Sequence, residues 1–194
     1  MKLIIASNNA HKVGEIKQIL GTRFEEILSL REAGVDHETI EDGDSFMANA
    51  LKKAREIAEI TGMCALADDS GLSVDALGGA PGIYSARYSG EDDPTLRDKA
   101  NCDLLLKNLS DKTDRSAHFT CAMALVYPDG REVLAEGYMM GSVTYAPSGN
   151  FGFGYDPLFL PLGEERTVAE MPEEEKNAIS HRANALKLLL EKMN

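Results

Sequence analysis

Two adjacent carboxylates, Asp68 and Asp69, follow an apolar run from Met63 to Ala67 that reads as a short buried strand, with Ser70-Gly71-Leu72 next. Two like charges at a strand end are unfavourable in the interior unless a cation or hydrogen-bond donors compensate them. A hard metal ion is one simple compensation, and such an ion is most often held for work on phosphate. A turn in which Asp68 and Ser70 cap backbone groups is the plainer alternative.

Other segments carry polar groups of the same kind. Ser7-Asn8-Asn9-Ala10-His11-Lys12 lies between a first strand and a first helix, where backbone N–H groups attract phosphate. A Walker loop is absent, and an N-cap at Ser7 or Asn9 with a surface lysine is the alternative. Glu41 and the aspartate pair together bring three acids in two segments; a solvated acidic loop is the alternative for Glu41-Asp42. Phe151-Gly152-Phe153-Gly154-Tyr155-Asp156-Pro157 combines glycines that admit a flat ligand with aromatic faces that can stack on a base. A tight aromatic loop packed on the core explains it equally well. Lys176 and Ser180-His181-Arg182 place cations near a helix start, suited to phosphate or to a carbonyl oxygen on a base. Surface cations balancing Glu173-Glu174-Glu175 are the alternative.

The elements that must position these groups follow from apolar spacing. Lys2–Ala6 reads as a strand, then comes a helix to about Leu20 stopped by Gly21. Glu25–Leu30 reads as a second strand, and Ser45–Thr61 as a helix stopped by Gly62. Leu77–Gly82 is too rich in glycine and proline for a regular element. Thr95–Leu109 reads as a helix. Ala117–Tyr127 and Arg131–Met140 form a hairpin about Pro128-Asp129-Gly130, with a further short strand at Ser142–Tyr145. Ala146–Pro157 is loop, and Ser180 caps a last helix with Leu186, Leu189, Leu190 and Met193 on one face. Alternating α and β units plus a hairpin predict an α/β protein with a mixed sheet.

The 194 residues suit one domain, residues 1–194, and 43% hydrophobic content suffices for a full core. No apolar run is long enough to cross a bilayer, and Met1-Lys2-Leu3-Ile4-Ile5-Ala6 is too short for a signal-peptide core. Cys64, Cys102 and Cys121 are scattered, which predicts reduced thiols in a cytoplasmic protein and no zinc site. A net charge of −12 argues against nucleic acid as a partner while leaving a single small nucleotide open.

The order and spacing of the set are more specific than its members. S-x-N-x-x-K, then Glu41 with Phe46 and Asn49-Ala50, then ADDSGL with DALGGAPGIYSARYSG, then GFGYDP, then SHR resembles the inosine triphosphate pyrophosphatase family from Leu3 to about Leu190. The resemblance implies hydrolysis of non-standard purine nucleoside triphosphates (ITP, dITP, XTP) to monophosphate and pyrophosphate, cleansing the nucleotide pool. It implies an elongated central mixed sheet with flanking helices in two lobes around a cleft, and a cytoplasmic homodimer. Ser7, Asn8, Asn9, Ala10, His11 and Lys12 would hold the triphosphate, with Lys53 as a second lysine. Glu41 and Asp69 would bind magnesium, and Asp69 would also be the general base, with Asp68 in support. Ser70 would touch substrate, and Phe153, Gly154, Tyr155, Asp156, Lys176, His181 and Arg182 would surround the base. Two other readings remain at this point. An aspartyl-phosphate phosphatase wants its aspartates one residue apart, not adjacent. A nucleotide sensor would bind triphosphate without turning it over.

Overall fold

The computed structural model describes residues 2–193. Its strands are β1 (Lys2–Ile5), β2 (Glu26–Ser29), β3 (Cys64–Val74), β4 (Ser116–Val126), β5 (Glu132–Val143) and β6 (Phe159–Pro161). They form one six-stranded sheet in the order β2-β1-β3-β4-β5-β6. It is mixed: β1 runs parallel to both β2 and β3, and β5 pairs antiparallel with β6. The helices are α1 (Ala10–Leu20), α2 (Phe46–Thr61), α3 (Pro94–Asn108), α4 (Glu173–Ile179) and α5 (His181–Lys192). The predicted α/β class and mixed sheet with flanking helices are therefore found.

Several boundaries differ from expectation. The aspartate pair lies inside β3, not in a turn at its end. No separate strand spans Ser142–Tyr145, because β5 continues to Val143. The three-residue β6 and the acidic helix α4 were not foreseen; one is too short and the other too polar to show a period. Ser180 ends α4 immediately before α5 begins.

The chain divides into two compact units. The first comprises Met1–Asp69, Cys121–Gly137 and Arg182–Asn194. Side chains alternate across its strands, so each strand supplies two different faces. Leu3, Ile5, Cys64, Leu66, Cys121, Met123 and Leu125 pack with Ile16 and Leu20 of α1 and Ala185, Leu186 and Leu189 of α5. The intervening residues Ile4, Ala65, Ala67, Ala122 and Ala124 meet Ala50, Ala54, Ile57 and Ala58 of α2. This second face is rich in alanine, with Ile4, Leu30, Ile57 and Val126 as its larger members. Ser45 caps α2 by accepting the Ala48 N–H, and Gly62 ends it in the left-handed region at φ 65°.

The second unit comprises Ser70–Thr120 and Tyr138–His181. Its core gathers Leu72, Val74, Leu105, Leu109, Phe119, Tyr155, Leu158 and Phe159. Arg115 is buried and gives its guanidinium to the carbonyls of Val143, Leu109 and Thr144.

Two measurements probe the first unit. Ala54→Leu overfills the alanine face and should lower stability by about 1–3 kcal/mol in urea unfolding. Glu32 accepts from Lys17 Nζ at 2.6 Å and from the Ser29 backbone N–H at 2.7 Å and its hydroxyl, which hold its carboxyl down at about 2. The ordinary value is 4.5, so the small stabilisation expected of an exposed pair is present above that pH and is lost as pH falls toward 2. Glu32→Gln should be less stable than wild type at pH 7, with the gap closing over that window.

Candidate active site

Period-two alternation sends the adjacent aspartates to opposite faces of β3. Asp68 shares the α1/α5 face with Leu66. Its Oδ2 lies 3.0 Å from Lys12 Nζ on α1 and accepts from Arg182 Nη2 on α5 at 3.1 Å. Arg182 is 1% exposed and also donates through Nη1 to Glu15, a buried acid one turn past Lys12. Two cations and two carboxylates thus make a compact buried set. Burial alone would raise the Asp68 pKa, but Lys12, Arg182 and Lys53 prevail and hold it far below the usual carboxylate range. Burial likewise pulls Arg182 down, and Asp68 and Glu15 more than restore its charge.

Asp69 shares the α2 face with Ala67. Its Oδ2 accepts from Asn49 Nδ2 at 3.0 Å, and its Oδ1 lies 3.7 Å from Lys53 Nζ. The same ammonium donates to Glu41 Oε1 at 2.7 Å. Burial raises the Asp69 pKa, and Glu41 adds to that rise against the opposing pull of Lys53 and Lys12. Lys53 moves upward too: burial opposes its charge, but Asp69, Asp68 and Glu41 outweigh it. The pair therefore splits into a carboxylate fixed in its ionised form and one whose proton affinity is enhanced. A group of the second kind is suited to accept a proton from water.

The loop before α1 is more exposed. Asn9 is the N-cap, its side chain accepting the N–H groups of His11 and Lys12. Ser7 Oγ accepts the Asn9 N–H at 3.2 Å, while Asn8, Ala10 and His11 are exposed. Lys12 is thus held at the first turn of a helix whose positive end favours anions. In place of a solvated acidic loop, residues 37–43 are laced to α2. Glu56 binds His37 and Thr39, Lys52 binds the Ile40 carbonyl and Asp42, and Lys53 binds Glu41.

The remaining expected residues, apart from Arg182, belong to the second unit. Lys176 is buried, 2.8 Å from Asp156 Oδ2, with its ammonium 4.8 Å from the centre of the Phe153 ring. Asp156 also accepts the Phe153 N–H at 3.0 Å. Gly152, at φ 76°, allows this closeness, since a Cβ there would stand 2.1 Å from Asp156 Oδ2. Gly154 donates its N–H to Asp98, and Tyr155 is core, its hydroxyl donating to the Ser85 carbonyl. His181 is buried and stacks on Phe119 at 4.8 Å. Ser70 is half-buried in β3. Lys176 and Arg182 are consequently not surface cations balancing Glu173–Glu175; both are interior and matched to other acids.

Sequence reasoning passed over Glu15 and gave Asn49 no chemical role. Glu15 had a visible signal, an acid beside Ile16 on the apolar side of α1. Asn49 had one too, preceding Ala50 and standing four residues before Lys53 on α2. Glu15→Ala strips one carboxylate from a buried guanidinium and should cost about 3 kcal/mol, read as a lower urea midpoint at unchanged slope.

The chain as a whole is similar to known proteins. The sequence pattern of the Ham1 family matches residues 3–192. A dITP/XTP pyrophosphatase of Clostridium perfringens is 50% identical over 97% of this chain and 95% of its own length. The Staphylococcus aureus Ham1 protein superposes with a TM-score of 0.87 at 38% identity, covering 100% of both chains. A nucleoside-triphosphatase, dITP/XTP pyrophosphatase, from Mycobacterium abscessus superposes with a TM-score of 0.78 at 47% identity, covering 98% of this chain and 99% of its own. With that agreement in sequence and in fold, this chain belongs to the Ham1 family.

Proposed function

We propose that this protein hydrolyses the non-canonical purine nucleoside triphosphates ITP, dITP and XTP to the monophosphate and pyrophosphate, removing them from the nucleotide pool. The observation that carries the reading is the raised, half-compensated carboxylate of Asp69 beside Lys53 and Glu41, in a chain half identical to a dITP/XTP pyrophosphatase.

Asp69 takes the proton of the attacking water as it adds to the α-phosphorus, and pyrophosphate departs. Asp68 is a poor candidate for that step, because its two cations keep it ionised. Its task is to hold Lys12 and Arg182 in place. Lys12 and the first turn of α1 receive negative charge on the triphosphate, with Lys53 as the second ammonium.

Magnesium is part of the proposal. Among the described residues no group of three or more metal-binding side chains assembles. Two carboxylates, Glu41 and Asp69, nevertheless converge on one cationic group, the Lys53 ammonium. That set suits magnesium, which commonly takes one or two protein carboxylates and fills its shell with water and phosphate oxygens. Glu41 and Asp69 would hold the ion, which when bound neutralises phosphate charge and acidifies water.

Selection for a 6-oxo purine needs N–H donors, which meet an acceptor on the oxo base and an amino group on adenine. We assign Lys176 and His181 to the base; in the free protein Lys176 pairs with Asp156, as Arg182 pairs with Glu15 and Asp68. A cytoplasmic homodimer acting on free nucleotides completes the reading. No helix among the described residues is long and apolar enough to cross a membrane.

The test is a product-resolved assay of ITP, XTP and ATP with magnesium. Pyrophosphate and monophosphate from the oxo purines are expected; stepwise orthophosphate would overturn the reaction. Asp69→Asn should lower kcat by about 10²–10⁴-fold with the unfolding midpoint little changed.

A further inference from the structure

Asn49 has no part in the chemistry above, yet it joins two segments that do. It is 1% exposed, and its two amide atoms face in different directions. Oδ1 accepts the Gly43 N–H at 2.8 Å, and Nδ2 donates to Asp69 Oδ2 at 3.0 Å. The backbone donor settles the amide's orientation: its oxygen must face Gly43, so its NH₂ must face Asp69. Gly43 is itself a steric requirement. A Cβ at that position would stand 2.6 Å from Asn49 Oδ1 and 2.9 Å from the Ala48 Cβ. Gly43 lies two residues beyond Glu41, so the same contact anchors the loop that carries it.

We infer that Asn49 is a positioning residue that sets the plane of the Asp69 carboxylate and ties it to the Glu41 loop through one amide. The inference rests on Asp69 being the base. With Oδ2 engaged by Asn49, Oδ1 is the oxygen turned toward Lys53. Aspartate at 49 would keep an acceptor for Gly43 but set a carboxylate oxygen against Asp69. Alanine would lose both contacts.

Asn49→Asp and Asn49→Ala in the full chain separate these functions, with Asp69→Asn as reference. Three quantities are read: kcat and KM for ITP, the urea midpoint, and amide hydrogen exchange at Gly43 in metal-free protein. Asn49→Asp should lower kcat about 10–100-fold, as loss of an orienting partner does. At saturating magnesium its KM should stay within about threefold, since the Asn49 side chain bonds Gly43 and Asp69 and neither Lys12 nor Lys53. Its Gly43 amide should remain protected, whereas Asn49→Ala should lose both protection and kcat. A kcat for Asn49→Asp within about twofold of wild type would overturn the inference. So would Gly43 exchange as fast in the aspartate variant as in the alanine one. If Asn49→Ala fails to fold, the near-isosteric aspartate variant decides alone. An active Asp69→Asn enzyme would remove the base assignment and the inference together, and is told apart because it needs no change at Asn49.

Discussion

The arrangement depends on one constraint: neighbouring residues of a strand point to opposite faces. Asp68 and Asp69 are adjacent in sequence, yet their direct partners come from different helices, although the charges of Lys12 and Lys53 reach both. Asp68 meets cations borne by α1 and α5, and Asp69 meets an amide and an ammonium borne by α2. In a turn both would compete for the same partners. Inside β3 each has its own direct contacts, and two chemically identical groups are shifted in opposite directions, Asp68 down and Asp69 up.

The rest of the first unit serves that separation. The α1/α5 face is built from bulky aliphatic residues, which seat two helices and fix Lys12, Glu15 and Arg182. The α2 face is built from alanine, which lets short side chains span the gap from helix to strand. The Asn49 amide reaches Asp69 from α2 beside Ala50, Ala54, Ala65 and Ala67. The loop carrying Glu41 then has a helix edge to fasten to, through residues at helical spacing: Asn49, Lys52, Lys53 and Glu56.

Much of this was legible in the sequence. Amphipathic spacing located α1, α2, α3 and α5 to within a residue or two, and the Pro128-Asp129-Gly130 turn located the hairpin. Of the acids and lysines that gather around Asp68 and Asp69, all were named as candidates except Glu15. What could not be read was partnership. Lys176 and Arg182 look like surface cations because Glu173–Glu175 lie near them in sequence, while their partners, Asp156, Glu15 and Asp68, lie far away. The strand end expected at Asp68-Asp69 was misplaced for a related reason. Charges in an apolar run look like its end unless the residues that neutralise them are known.

The alanine face has an evolutionary corollary. On the aliphatic face, leucine, isoleucine and methionine can exchange with modest repacking, because volume is what must be conserved. Under α2 there is less such freedom where alanine faces alanine, because a methyl has no rotamers to rearrange. Lineages diverging from this sequence should therefore drift on one side of the sheet and stay nearly frozen on the other. That side also carries Asp69, Asn49 and Lys53, so its inert alanines are held still together with its chemistry.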